Sequence, residues 1–397
     1  MIAVQEALAR ILAAFKALPS EHVAVSEAGG RVLAADVFAR LTKPPSDVSA
    51  MDGYAVLGED VAEAPATLRV VGMAPAGGAY DRRLGPGEAV RIFTGGPLPD
   101  GADTVVIQEL TEAGEGQVTV KQPVPAGRYV RQRGLDFAEG DPGPTAGSLL
   151  TPRHIALIAA MNVPWVAVTR RPRVAILGTG DELVMPGEPA GPHQIVSSNT
   201  LALAAMTEQA GAVPINLGIA RDNESSLKLM AAGADKADLL VVTGGMSVGE
   251  RDLVRHVLGD VGLDLDFWKI AMRPGKPLSF GFLGKTPMLG FPGNPVSTLV
   301  CGQLFMCPAI GVMLGKAAPV PAREVAQLGA PLAKNDERED YLRALLSRGD
   351  AGNLIATPFD VQDSSMLATI ARSDCLVVRA PHAPPAKVGD RVTFVRL

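Results

Sequence analysis

Three apolar runs that each stop at glycine constrain this chain more than any other feature: VAILGTGDEL at 174–183, LLVVTGGMSVGERD at 239–252 and MLGFPGNPVS at 288–297. Small hydroxyl, amide or acidic residues follow the glycines, which is how an open α/β sheet presents backbone N–H groups to an anion at its strand ends. One such loop carries little information. Three within about one domain length, two of them with carboxylates, point to a site for a phosphorylated ligand together with a metal or a second anion.

The surrounding pattern supplies a domain plan. The first twenty residues, MIAVQEALARILAAFKALPS, place Val4, Leu8, Ile11, Leu12 and Phe15 on one helical face, as a docking helix does. Residues 21–60 give short strands and then LTKPPSDVSAMDGYAV, where Pro44, Pro45 and Gly53 impose irregular backbone around Asp52. From 66 to 134 short β runs (LRVVGMAPA, AVRIFTGG, DTVVIQEL, GQVTVKQP) alternate with turns, predicting an all-β lobe of meander or barrel type. RQRGLDFAEGDPGPTAGSLL is rich in loop residues, and TPRHIALIAAMN starts a helix with Thr151 as N-cap and Pro152 in its first turn.

After Arg170–Arg171–Pro172 strand and helix alternate, with Ser198–Asn199–Thr200 as cap residues of the helix LALAAMTEQAG, which makes a mostly parallel sheet with right-handed crossovers. The helix beginning at Pro295 closes that region. From Ala317 turn signals return around YLRALLS, LIATPF, CLVVRA and RVTFVRL, the strands of a small β-barrel. The expected fold is therefore multidomain α/β plus all-β. It has an N-terminal mixed body at 1–170 with an inserted β lobe at about 45–134, a central α/β domain at 171–316, and a C-terminal β-barrel at 317–397.

Composition excludes several functions. A formal charge of −5 with no dense Lys/Arg run argues against nucleic acid as a partner, because phosphate neutralisation needs a concentrated basic face. No apolar window approaches the length a membrane span needs, and the first residues lack the basic start of a secretory signal, so no membrane and a cytoplasmic location are expected. Cys301, Cys307 and Cys375 form no CxxC and read as buried thiols of a reducing compartment. The five histidines are scattered without HExxH or a Cys/His cluster, and neither GxxxxGK[ST] nor GxSxG occurs.

Within the three loops, Gly178 and Gly180 allow close backbone approach while Asp181 and Glu182 stand at the sheet's carboxyl edge; a turn followed by ordinary helix-start acids is the plainer reading. Gly244, Gly245, Ser247 and Gly249 follow a buried run at an entropic cost that a bound oxyanion would offset. Asp252 then reads either as a metal ligand or as a helix cap. In MRPGKP, Arg273 and Lys276 flank a Pro–Gly turn and can face one cavity, unless both are simply solvated. Pro292, Asn294 and Pro295 set the turn into a helix whose first turn holds Ser297, an anion-friendly N-terminus. Asp52, Thr94 and Asp136 lie in glycine-bearing loops that tolerate such residues for turn reasons alone. Arg338, Arg343, Ser364 and Ser365 are further anion contacts or rim residues.

Taken together, AMDGYA, IFTGGPLPDGAD, GTGDEL, TGGMSVGERD, MRPGKP and GFPGNPVS resemble the MoeA family of molybdopterin molybdenumtransferases, related to the gephyrin E domain, along most of the chain. The resemblance implies insertion of molybdate into adenylylated molybdopterin with Mg²⁺-dependent release of AMP. It also implies a homodimer whose site is shared between subunits, an adenylyltransferase upstream and an apo-molybdoenzyme system downstream. Position by position, Asp181, Glu182 and Asp252 match acidic positions near the nucleotide–pterin pocket, with Glu182 and Asp252 implied as Mg²⁺ ligands. Asp52, Thr94 and Asp136 match functional positions of the N-terminal half. Lys276, Pro277, Ser297, Arg338 and Ser364 match positions implied to hold molybdate. A scaffold or storage protein that binds molybdopterin without turnover, and the preceding adenylyltransferase, are the alternatives.

Overall fold

The computed structural model describes residues 1–75, 77–245, 253–260, 262–350 and 352–397, with 253–255 in backbone only. Its central sheet has six strands in the order Val213–Ala220, Arg173–Thr179, Leu239–Thr243, Thr286–Phe291, Ser279–Leu283 and Leu263–Phe267. The first four are parallel, and Ser279–Leu283 runs against both of its neighbours. Val174, Ile176, Leu239, Val241 and Leu289 pack on one face; Ala175, Leu177, Leu240, Val242 and Met288 pack on the other. Burial on both faces is why these strands read as unbroken apolar runs rather than as alternating ones.

The chain passes from Arg173–Thr179 outward to the edge strand Val213–Ala220 and returns on the far side of its starting point, at Leu239–Thr243. Strand order thus reverses between Arg173–Thr179 and Leu239–Thr243. The first two glycine loops sit side by side at the carboxyl end of this reversal, where α/β sheets open a crevice for ligands.

The N-terminal helix Val4–Ala13 buries Val4, Ala7 and Ile11 in the central domain's core together with Phe15 just beyond it. That core also takes in Tyr341, Leu376, Val378 and Val395 of the C-terminal barrel, so the same packing links three parts of the chain. The remainder of the N-terminal body has its own core of Leu33, Val37, Phe137, Leu150, Ile158, Val166 and Val168. There Ser20–Ala24 pairs with Trp165–Thr169.

The expectation that no segment is long and apolar enough to span a membrane is corrected here. The helix Pro295–Met313 has 19 residues and a mean hydropathy of 1.7, sufficient by length and composition, yet 78% of its apolar window is buried inside the protein as a core helix. Its middle, Gly302–Met306, widens into a π segment. Pro308 accounts for that, since it has no N–H to return to the carbonyl of Leu304 four residues earlier. Burial also governs the thiols: the Cys307 thiol is pushed up to about 11 and that of Cys301 higher still, which leaves both unreactive.

The β lobe is a six-stranded sheet in the order Thr104–Ile107, Gly53–Val56, Glu88–Ile92, Ala66–Ala74, Gln117–Val120 and Thr111–Gly114. It departs from a meander through the parallel pairing of Ala66–Ala74 with Glu88–Ile92. Gly53 is required by close approach, because a Cβ there would stand 2.0 Å from the Val106 carbonyl oxygen. Gly53→Ala should therefore push apart two paired strands and destabilise the lobe by about 2 kcal/mol or more. A lowered thermal midpoint would be the expected result; an unshifted one would mean that the backbone yields freely.

The C-terminal barrel closes from five strands, because Glu339–Arg348 pairs with both Leu354–Pro358 and Cys375–Arg379. Arg391–Arg396 and Arg323–Leu328 complete the circuit, the latter a strand that the sequence reading did not include. Met272–Arg273 of the central domain extends the barrel by pairing in parallel with Glu339 and Asp340.

Candidate functional site

The three glycine loops meet. A Cβ on Gly244, whose φ is +93°, would fall 2.3 Å from the Thr179 carbonyl oxygen, and one on Gly293 would lie 3.5 Å from the Gly244 Cα. Asn199, at the start of the helix Asn199–Ala210, ties the second loop to the third: its Nδ2 donates to Thr243 Oγ1 at 3.2 Å and to the Gly293 carbonyl at 2.8 Å. The Pro292 carbonyl accepts from the hydroxyls of Thr298 (2.6 Å) and Thr243 (3.3 Å). Gly178 has another reason to be small, since a Cβ there would come within 3.1 Å of the Thr200 methyl on the same helix.

At the first loop Asp181 and Glu182 are both exposed. The Glu182 carboxylate folds back over Gly180, with Oε2 and Oε1 2.5 and 2.7 Å from where a Cβ would be. Asp181 Oδ1 accepts the Asp222 N–H at 3.1 Å, so this acid also braces the neighbouring strand's exit turn. Thr179 Oγ1 is buried without a hydrogen-bond partner among the described residues. An orphaned hydroxyl beneath two glycine loops fits a site shaped to receive a polar ligand. Neither Asn199 nor Thr179 emerged as a site residue from the sequence: the first read as a helix cap and the second as part of a turn. Ser247, Gly249 and Asp252 lie outside the described residues.

The third loop reaches the C-terminal domain. Asn294 donates its Nδ2 to Ser364 Oγ at 2.9 Å, and the Val296 N–H donates to the Ser364 carbonyl at 3.1 Å. Ser364 is thereby joined to the helix that starts at Pro295 and carries the buried Ser297.

Of the two cations that flank the Pro–Gly turn, Arg273 is held by carboxylates. Arg273 donates its Nη2 to Asp336 at 2.7 Å and its Nε to Asp340 at 3.0 Å. Arg338 shares Asp336, with its Nη2 also at 2.7 Å. Hydrogen bonds from the Arg338 side chain and N–H hold the Asp336 carboxyl well below the usual carboxylate range, whereas burial raises that of Asp340. Lys276 is exposed and makes no ion pair among the described residues; Pro277 beside it is half-buried.

Asp52 and Thr94 form a unit of their own, in which Asp52 Oδ1 accepts the Thr94 N–H at 2.7 Å and its hydroxyl at 2.8 Å. These two bonds, the backbone one foremost, lower the Asp52 pKa. Asp136 pairs with Lys43 at 3.2 Å. Among the described residues no hydrogen bond or ion pair joins Asp52, Thr94 or Asp136 to the loops of the central sheet.

Metal chemistry finds partial support in the donor set. No group of three or more His, Cys, Asp or Glu that could hold a metal occurs among the described residues. Magnesium, however, commonly keeps several waters and takes one or two carboxylates plus substrate phosphates. Asp181 and Glu182 at the crevice satisfy that smaller requirement.

Residues 2–162 match the MoeA N-terminal region (domain I and II), 175–311 a probable molybdopterin binding domain, and 325–397 the MoeA C-terminal region (domain IV). A molybdopterin molybdenumtransferase of Nostoc sp. is 42% identical over 90% of this chain and 84% of its own length. One of Haemophilus influenzae is 34% identical over 94% and 93%. The crystal structure of a molybdopterin biosynthesis MoeA protein from Pyrococcus horikoshii superposes with a TM-score of 0.86 at 26% identity, covering 100% of both chains.

Proposed function

Because the chain belongs to the MoeA family, we propose that it inserts molybdate into adenylylated molybdopterin with Mg²⁺-dependent release of AMP. The observation that carries this reading is the convergence of three glycine loops at the sheet's reversal point, the first packed against Gly244, the second and third tied by Asn199, and the Ser364 loop bonded to the third. Backbone N–H groups there can receive phosphate oxygens, and the Thr179 hydroxyl can join them. Lys276, Ser297, Arg338 and Ser364 would hold the tetrahedral oxyanion, so that its oxygens are exchanged for dithiolene sulfurs at a fixed position.

Glu182, with Asp181 or Asp252, would hold Mg²⁺, and the ion would supply positive charge to the phosphates of the adenylate. Glu182 already lies over Gly180, within the loop that would receive those phosphates. Asp52, Thr94 and Asp136 belong to this reading through a second copy of the chain: a homodimer would carry one subunit's N-terminal residues to the other's crevice. A cytoplasmic enzyme that takes its substrate from an adenylyltransferase and passes its product to apo-molybdoenzymes completes the proposal.

The deciding experiment incubates purified protein with adenylylated molybdopterin at low molybdate, with and without Mg²⁺, and then adds an apo-molybdoenzyme. AMP release that needs both ions, followed by activation of the acceptor, is the expected outcome. Tight binding without release would favour the storage reading, and formation of the adenylate from ATP and pterin would favour the adenylyltransferase. Glu182→Gln should raise the Mg²⁺ concentration for half-maximal release by about tenfold, the lower end of what losing support at a metal site costs in affinity.

A further inference from the structure

We propose that Asp336 is a resident counter-anion that pairs with Arg338 and must release it before a dianionic oxyanion binds, and that Asp336 thereby sets the affinity and charge selectivity of the site. The inference rests on the assignment of Arg338 to the oxyanion above.

Asp336 is held in a built position. Its Oδ1 accepts the Arg338 N–H at 2.9 Å, and its Oδ2 lies 2.7 Å from Nη2 of both Arg273 and Arg338. Behind it Asn335, only 8% exposed, donates Nδ2 to the carbonyls of Arg338 (2.8 Å), Ala380 (2.9 Å) and Arg379 (3.2 Å). Asn335 Oδ1 accepts the Asp336 N–H at 2.9 Å. A turn so thoroughly bonded presents its carboxylate to the two arginines by construction.

The charges then decide what can bind. Two guanidiniums face two carboxylates, Asp336 and Asp340, so the group offers no net positive charge while both pairs persist. Arg273 has a second, buried partner in Asp340, but among the described residues Asp336 is the carboxylate that pairs with Arg338. The Asp336 side chain is 42% exposed and can turn to water without being stranded. A tetrahedral dianion carries more charge than the carboxylate it replaces and can displace it, whereas a monoanion has no such advantage.

The test is calorimetric titration of the full-length protein with molybdate, and separately with nitrate, at constant ionic strength. Asp336→Asn keeps the Oδ1 acceptor of the turn but removes the charge, so the loop geometry is retained; Asp336→Ser, checked by its melting curve, is the second variant. The expected result is molybdate binding tightened by about tenfold in either variant, measurable nitrate binding, and loss of the gain in Asp336→Asn combined with Arg338→Ala. Unchanged or weaker molybdate binding by both variants, with Arg338→Ala still weakening it, would overturn the counter-anion role alone. Wild-type affinity in Arg338→Ala would instead remove Arg338 from the oxyanion site, and this inference with it.

Discussion

Lys276→Ala should lower AMP release at limiting molybdate by about 10–10², as losing one charge-assisted hydrogen bond of about 1.5–3 kcal/mol to a bound oxyanion does. Among the described residues Arg273 and Arg338 are each engaged by carboxylates while Lys276 makes no ion pair, so Lys276 brings charge that no described carboxylate neutralises. Its backbone is held while its side chain is exposed: the Lys276 carbonyl accepts the Ile270 N–H at 3.1 Å, and the Leu278 N–H closes the turn onto Gly275 at 3.0 Å. Gly275 itself, with φ +115°, has space for no Cβ, since Cys301 Sγ would lie 2.9 Å away. The loss should therefore appear as a raised molybdate KM with little change in melting temperature. Lys276→Arg should recover part of it, because charge returns without the compact ammonium. Initial rates measured against molybdate concentration check both, and wild-type rates in Lys276→Ala at limiting molybdate would exclude this lysine from the oxyanion site.

The features most legible in the sequence were those that local pattern dictates. Unbroken apolar runs ending in glycine mark strands covered on both faces and put the loops after them at one sheet edge. The strand Arg323–Leu328 escaped notice because only Ala326 and Leu328 of its six residues are buried, too few to make the alternation stand out. The parallel pairing of Ala66–Ala74 with Glu88–Ile92 was equally hidden, since strand direction leaves no trace in periodicity.

The same limit applied to the site. Arg273 looked free because its counter-charges, Asp336 and Asp340, are more than sixty residues further along the chain. Asn199 looked like a helix cap because nothing in Ser198–Asn199–Thr200 signals that Thr243 and Gly293 lie within its reach. Residue type and spacing named candidate ligands, but which of them already had partners was decided by contacts distant in sequence.

Arg343 illustrates the point in the opposite direction, and its removal should have the largest effect on stability. Read as a possible anion contact, it is instead 1% exposed, the bulkiest fully buried side chain among the described residues. Its Nε donates to Gln362 Oε1 at 3.0 Å and its Nη1 to the Asp363 carbonyl at 2.7 Å. Gln362 answers with Nε2 to the carbonyls of Arg343 (3.0 Å) and Phe359 (2.8 Å). This strap fixes the segment that ends at Ser364, the residue bonded to Asn294 and Val296. Arg343→Ala should leave a cavity and orphan at least one acceptor, destabilising the barrel by about 3–5 kcal/mol, while Arg343→Lys should retain packing but lose the fork. Gln362→Leu should cost less alone, and the double variant should cost clearly less than the sum of the two, since residues of one bonded network are not additive. Calorimetric unfolding of the four proteins measures this, together with the molybdate KM, which should rise in each variant as Ser364 loses its support. Strict additivity, or a KM that stays fixed while the barrel weakens, would show that Arg343 stabilises the domain without positioning the serine.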